Sequence, residues 1–243
     1  MNIIEMHYEL DVRLNDIQSL DYNNLQIAEK DVYFNRGQIQ LINNKYGINN
    51  TTTKGFESNQ KRIEDLKTLL VKGYANPLIP TLIDSEKYIY RYDLNNLDKK
   101  YLYYISSMLT ITKGSCSLNV PLIITEHDDI YTSLLDDNYS PSFEWMYVPA
   151  NFSCVFFFFF NFIYVYTNNG FSLGNLYLDY LRYPKKIYYG NYNDIDGNLL
   201  AQSDCELPEY LHYELLDVVE LLIKMDSQNP TVNSTVMKNQ MNE

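Results

Sequence analysis

Residues 154–167 read CVFFFFFNFIYVYT, with five consecutive phenylalanines, and this stretch limits what the chain can become more than any other. A membrane-spanning helix needs about 20 apolar residues. This run is broken by Asn161 and bounded by Asn151 on one side and by Asn168-Asn169-Gly170 on the other, so it is too short to span. Phenylalanine, valine, isoleucine and tyrosine favour strands, and an apolar run that ends at Asn-Asn-Gly is expected to be one buried strand entering a hairpin. Successive residues of a strand point to opposite faces, so five phenylalanines in a row require cover on both. Left bare, such a segment would invite edge pairing. Phe156, Phe158 and Phe160 are therefore candidate contacts with a second layer or a neighbouring subunit.

The chain has 243 residues, enough for one elaborated domain or two small ones closely joined. Its 24 tyrosines exceed what a core needs, and tyrosine suits subunit contacts that must be both adhesive and soluble. A formal net charge of −12 gives no general attraction to nucleic acid or to an anionic membrane. Cys116, Cys154 and Cys205 are widely separated and odd in number, as expected of reduced thiols made in cytoplasm. The start, MNIIEMHYELDVRLND, has neither the basic region nor the apolar core of an export signal.

Residues 1–75 are predicted to be helical. Ile3, Met6, Leu10, Leu14 and Ile17 form one stripe. Ala28, Val32, Ile39, Ile42 and Tyr46 form a second, which skips Asn35; that residue is either an interhelix polar contact or off the face. Phe56, Ile63, Leu66, Leu69 and Leu70 define a third helix that halts near Gly73. Residues 76–192 have β texture, in KYIYRYDL, YLYYISSMLTIT, the phenylalanine run and FSLGNLYLDYLRYPKKIYY, interrupted by a short helix near 126–136. Tyr88, Tyr90 and Tyr92 alternate, which gives one strand a tyrosine face available to a partner. In residues 193–226 a last helix begins near Pro208 and carries Leu211, Leu215, Val218, Val219 and Leu222 as its stripe. The tail, 227–243, lacks periodicity and is expected to be mobile or to await a partner, with Pro230 and Val232 as contact candidates. The expected fold class is α+β: a helical bundle of N-terminal helices plus the C-terminal helix, with an inserted antiparallel β subdomain.

No catalytic constellation stands out in the sequence. His7, His127 and His212 lie in separate segments. Glu126-His127-Asp128-Asp129 can be read as a cation or acid–base site, or as the acidic first turn of a helix. Asp194-Ile195-Asp196-Gly197-Asn198 starts like a calcium loop but lacks the closing bidentate acid, since Cys205 holds that position. No phosphate loop, nucleophile elbow or Cys-x-x-Cys is present. The expectation is a non-enzyme without cofactor or metal. A hydrolase using Glu126, His127 or Asp129 remains the alternative in that class.

The amphipathic N-terminus, GFESNQKRIEDLKTLLV at 55–71, LYLDYLRYPKKIYYGNYNDIDG at 176–197 and DCELPEYLHYELLDVVELL at 204–222 together resemble virion proteins of crAss-like tailed phages of Bacteroidales. They are similar, at greater distance, to ring-forming neck and head-to-tail adaptor proteins of short-tailed phages. The resemblance is carried by Leu181-Arg182-Tyr183-Pro184, which leads through a turn to Leu207-Pro208 and a helix containing His212. It implies a subunit of a twelvefold homo-oligomeric ring in the virion neck or tail. Its partners would be copies of itself, the portal protein and other neck or tail proteins, with double-stranded DNA passing through unread. No catalytic residue comes with it. Leu211 and Leu215, with the tail, would meet the ring above. The competing class is a receptor- or glycan-binding decoration module, with Trp145 and the alternating tyrosines stacking on sugars.

Overall fold

The computed structural model describes residues 1–17, 25–46, 60–84, 89–124, 135, 154–159, 161–167, 171–193 and 197–226. The chain is mixed α+β, with four helices in the described residues and strands whose pairing is antiparallel except at one step. It divides into two compact units: the described residues of Met1–Leu69 and Pro184–Glu243 form one, and those of Leu70–Tyr183 the other. The division thus falls earlier than 76 and 193, the positions read from sequence texture. Leu70 and Val71 already pair as a strand, and Ile187 and Tyr189 hydrogen-bond back to the helical unit.

In the helical unit, α1 (Ile3–Ile17) starts at a reciprocal cap. Asn2 Oδ1 accepts from the Glu5 amide at 2.8 Å, and the Glu5 carboxylate accepts from the Asn2 amide at 3.0 Å. Ile3, Met6, Leu10 and Leu14 are buried, as their spacing predicts. The face of α2 (Ile27–Tyr46) is rotated from the predicted one: it buries Lys30, Asp31, Phe34, Gly37, Gln38, Leu41 and Ile42, while Val32 is 66% exposed. A search for apolar spacing passes over Lys30 and Asp31 because buried charge is tolerated only when paired, and here both are: Lys30 Nζ lies 2.6 Å from Asp11, and Asp31 meets His7. The predicted third helix ends earlier than expected. α3 (Gln60–Leu66) passes through a 3-10 turn at Lys67–Leu69 straight into a strand, and Phe56 lies outside the described residues. α4 (His212–Asp226) packs on α2, where Gly37 permits the approach: a Cβ there would come within 2.7 Å of Val219 Cγ2.

The other unit is an eight-stranded sheet in the order β1-β8-β4-β5-β6-β7-β3-β2. Its strands are β1 (Leu70–Val71), β2 (Thr81–Asp84), β3 (Ile89–Asp93), β4 (Tyr101–Lys113), β5 (Cys116–Ile124), β6 (Cys154–Phe159), β7 (Phe162–Tyr166) and β8 (Ser172–Arg182). The phenylalanine run is not one strand. Phe159 pairs with Phe162, so the chain reverses at Asn161 and makes its own hairpin, well before Asn168-Asn169-Gly170. Asn161 is the polar residue that a turn tolerates and a buried strand does not. β6 pairs parallel with β5 on one side and antiparallel with β7 on the other, which leaves it no free edge along its paired length.

This sheet curls back on itself. In a flat sheet, at about 4.8 Å per strand, β3 and β8 would lie more than about 20 Å apart. Yet the Tyr92 hydroxyl on β3 donates to the Gly174 carbonyl on β8 at 2.8 Å. Leu78 exchanges both backbone hydrogen bonds with Leu176, each 2.9 Å, and the same stretch then runs into β2 and pairs with β3. The next exchange on that ladder would fall at Pro80 and Gly174, but proline has no N–H to give. The Tyr92 hydroxyl supplies the missing donor. Tyr92, Leu109, Val120, Val165, Leu176 and Tyr180 belong to the core this curl encloses. Tyr92→Phe keeps the ring and deletes the donor; we expect a loss of about 1–3 kcal/mol, measured by urea unfolding, because a buried carbonyl is left unpaired.

Candidate functional site

A dense polar cluster lies in the helical unit between α1, α2 and the residues after Tyr183. Asp31 is 1% exposed, and its Oδ1 lies 2.9 Å from His7 Nε2. Its Oδ2 accepts from the Tyr189 amide at 2.9 Å and from the Tyr192 hydroxyl at 2.6 Å. One turn along α2, Asn35 donates to the carbonyls of Asp31 and Ile187 at 2.7 and 2.8 Å and accepts from the Ile187 amide at 2.8 Å. That pattern fixes the orientation of the Asn35 amide. Of the two roles the sequence left open for Asn35, polar contact is the correct one, although it reaches the 187–192 segment and not another helix.

His7 packs its ring against Phe34 and Tyr189, with centroids 5.1 and 5.0 Å away. Facing a carboxylate, Nε2 is the protonated nitrogen, and Nδ1 is buried without a hydrogen-bond partner. The His–Asp pair is closed off from solvent and acts as a strut that fastens α1 to α2. In α4, His212 turns Nε2 to the Leu207 carbonyl at 3.0 Å, and burial holds its pKa below the ordinary value. Burial also pushes the Cys205 thiol up to about 11, far from a nucleophile's range. Among the described residues, no group of three or more His, Cys, Asp or Glu is placed to hold a metal ion. Glu126, His127, Asp128, Asp129, Asp194 and Asp196 lie outside the described residues.

Beside the polar cluster is a cleft of about 390 Å³ between α2 and the arm that follows Tyr183. α2 contributes Ala28, Asp31, Val32 and Asn35, and the arm contributes Lys186, Tyr192 and Leu200 among others. The arm holds its shape by pairing with itself: Tyr188 and Ser203 exchange amide bonds of 3.1 and 2.9 Å, and Leu200 donates to Tyr192 at 2.9 Å. Asp31 and Asn35 also anchor the arm to α2, so hydrogen bonds tie the two walls of the cleft together.

The structure brings together few of the residues picked from sequence as partner contacts. Tyr92 is fully buried, and Tyr90 packs half-buried against the same core, so these two rings turn inward. Leu211 and Leu215 are likewise fully buried in their own unit and cannot meet another ring. Their 3.6-residue spacing is a core signal first. Phe156 and Phe158 lie on β6, where only the backbone is described; Tyr88, Phe160, Trp145, Pro230 and Val232 lie outside the described residues.

The surface offers other apolar residues. On α1, Ile4, Tyr8 and Val12 are exposed, Tyr8 by 71%. Their spacing of four forms a second stripe that could have been read from sequence beside the first. In the β unit, Ile79, Leu82 and Ile83 are exposed on the stretch leading through β2. Tyr74, also exposed, stacks on Tyr177 with centroids 5.0 Å apart. None of the described helices is long and apolar enough to cross a membrane. Compared with known families and with curated proteins, the sequence matches no family model and finds no significant curated relative.

Proposed function

We propose that this chain is a phage virion structural protein: a neck or head-to-tail adaptor ring subunit that joins portal to tail and forms part of the DNA conduit. Its architecture on this reading is a helical bundle with an inserted β subdomain, made in the bacterial host's cytoplasm and working by assembly, not by catalysis. The observation that carries the proposal is that each compact unit leaves large apolar side chains at its surface: Ile4, Tyr8 and Val12 in line on α1 in one, and Ile79, Leu82 and Ile83, on the stretch through β2, in the other. Contiguous exposed apolar residues mark interaction surfaces. A ring in particular needs unlike patches on one subunit, because its contacts are head-to-tail. The net charge of −12 fits a channel wall that repels phosphate and lets double-stranded DNA slide.

Electron microscopy of the recombinant chain and of virions tests this directly. Closed rings, and density for the chain at the neck, are expected. A monomer at every concentration, missing from purified particles, would overturn the reading. The Tyr74–Tyr177 stack favours a second reading, a glycan-binding decoration module, because exposed stacked rings suit sugar faces. Glycan-array binding by a monomer, lost in Tyr74→Ala, would select it.

A further inference from the structure

The helical unit carries two unlike exposed surfaces, a ridge and a cleft. The first is the α1 ridge, with Ile4, Tyr8 and Val12 standing in line and Glu5 and Glu9 alongside. The second is the α2 cleft, apolar on Ala28, Val32 and Leu200. At the cleft Lys186 is exposed and holds no ion pair among the described residues, a local exception in a chain of net charge −12.

We infer that the α1 ridge of one copy docks into the α2 cleft of the next copy, with Tyr8 as the central knob and the acidic border of the ridge facing Lys186. This rests on the chain forming a ring, and it names the joint from which that ring is made. Charge complementarity selects this occupant. The ridge is apolar and bordered by Glu5 and by Glu9, which is paired with Arg13. The cleft offers Lys186 beside Ala28, Val32 and Leu200, with Asp31 buried and fully hydrogen-bonded. Tyrosine suits the knob, since its ring fills an apolar wall while its hydroxyl stays at the wet rim. The cleft needs little ordering to receive it, because Asp31, Asn35 and Tyr192 already hold its walls in place. Ridge and cleft are different surfaces, so one contact leaves each partner an open ridge or an open cleft, and copies add until the rotation closes.

Two surface variants of the full chain test the inference, with assembly read by sedimentation velocity and folding by circular dichroism. Tyr8→Asp spoils the ridge and Val32→Asp spoils the cleft; both side chains are mostly exposed, so both variants are expected to fold like the parent. Each variant alone should run as a monomer. An equimolar mixture should form dimers and stop there, because the intact cleft of one variant accepts the intact ridge of the other and no further joint is left. If the parent forms rings and either variant still does, or if the mixture stays monomeric, the ridge-and-cleft joint is wrong while the ring stands. A parent that is monomeric throughout would remove ring and joint together.

Discussion

Replacing Asp31 with alanine is expected to cost about 3–5 kcal/mol of folding stability, the range seen when one partner of a buried charged network is removed. Three donors lose their acceptor at once: His7 Nε2, the Tyr189 amide and the Tyr192 hydroxyl. His7 gains no water in return because it is buried, whereas Tyr192 lines the cleft and can turn its hydroxyl to solvent. Against a total of about 5–15 kcal/mol for a typical domain, this is a large share. Urea unfolding followed by circular dichroism measures it. Asp31→Asn retains one acceptor oxygen and should fall between the parent and the alanine variant. A loss under about 1 kcal/mol for Asp31→Ala would mean that the network is dispensable.

Gly73→Ala should be comparably severe for a different reason. A Cβ at Gly73 would lie 2.2 Å from the backbone nitrogen of Leu178 and 2.7 Å from its carbonyl oxygen. Backbone inside a paired strand cannot step aside as a flexible side chain can, so β1 or β8 must shift. The Gly73 amide also donates to Asp179 Oδ1 at 2.8 Å, and that carboxylate accepts from Ser106 at 3.0 Å on β4. A shift therefore loosens the hydrogen bonding of β8 as well as its packing. Overpacking together with a broken bond to a charged group amounts to about 3–5 kcal/mol. Thermal unfolding of the β unit reads the result, and a variant that melts with the parent would show that the strand edge yields more easily than its geometry allows.

These two sites differ in how far a sequence reveals them. The α1 and α4 stripes were legible because their buried positions are almost all apolar. The strands β3, β4 and β8 were legible from aromatic and β-branched density. The buried face of α2 was not, because its order comes from Lys30, Asp31 and Gln38, polar residues whose burial depends on partners far away in the chain. Nothing local in the sequence says that Asp31 will meet a residue at 189 or 192. The alternating tyrosines misled for a related reason: a phenol can be a surface contact or a core ring whose hydroxyl finds a carbonyl, and Tyr92 and Tyr180 are the second kind. The exposed ridge on α1 was hidden only by attention to the stronger stripe beside it.

The division of the chain also sets an order of events during synthesis. The helical unit is built from both ends of the sequence, with α4 arriving after every strand. As the polypeptide leaves the ribosome, α1 and α2 emerge before the strands and cannot cover their inner faces with a helix that has not yet been made. The β unit is continuous and has all its residues available earlier, so it can finish while the helices wait. During that interval Ile3, Met6, Leu10, Phe34 and Leu41 are open to solvent together with the outer ridge, and α1 is apolar on two sides. The newborn chain is therefore most vulnerable to aggregation between the emergence of α2 and that of α4, and translation through residue 226 ends the danger.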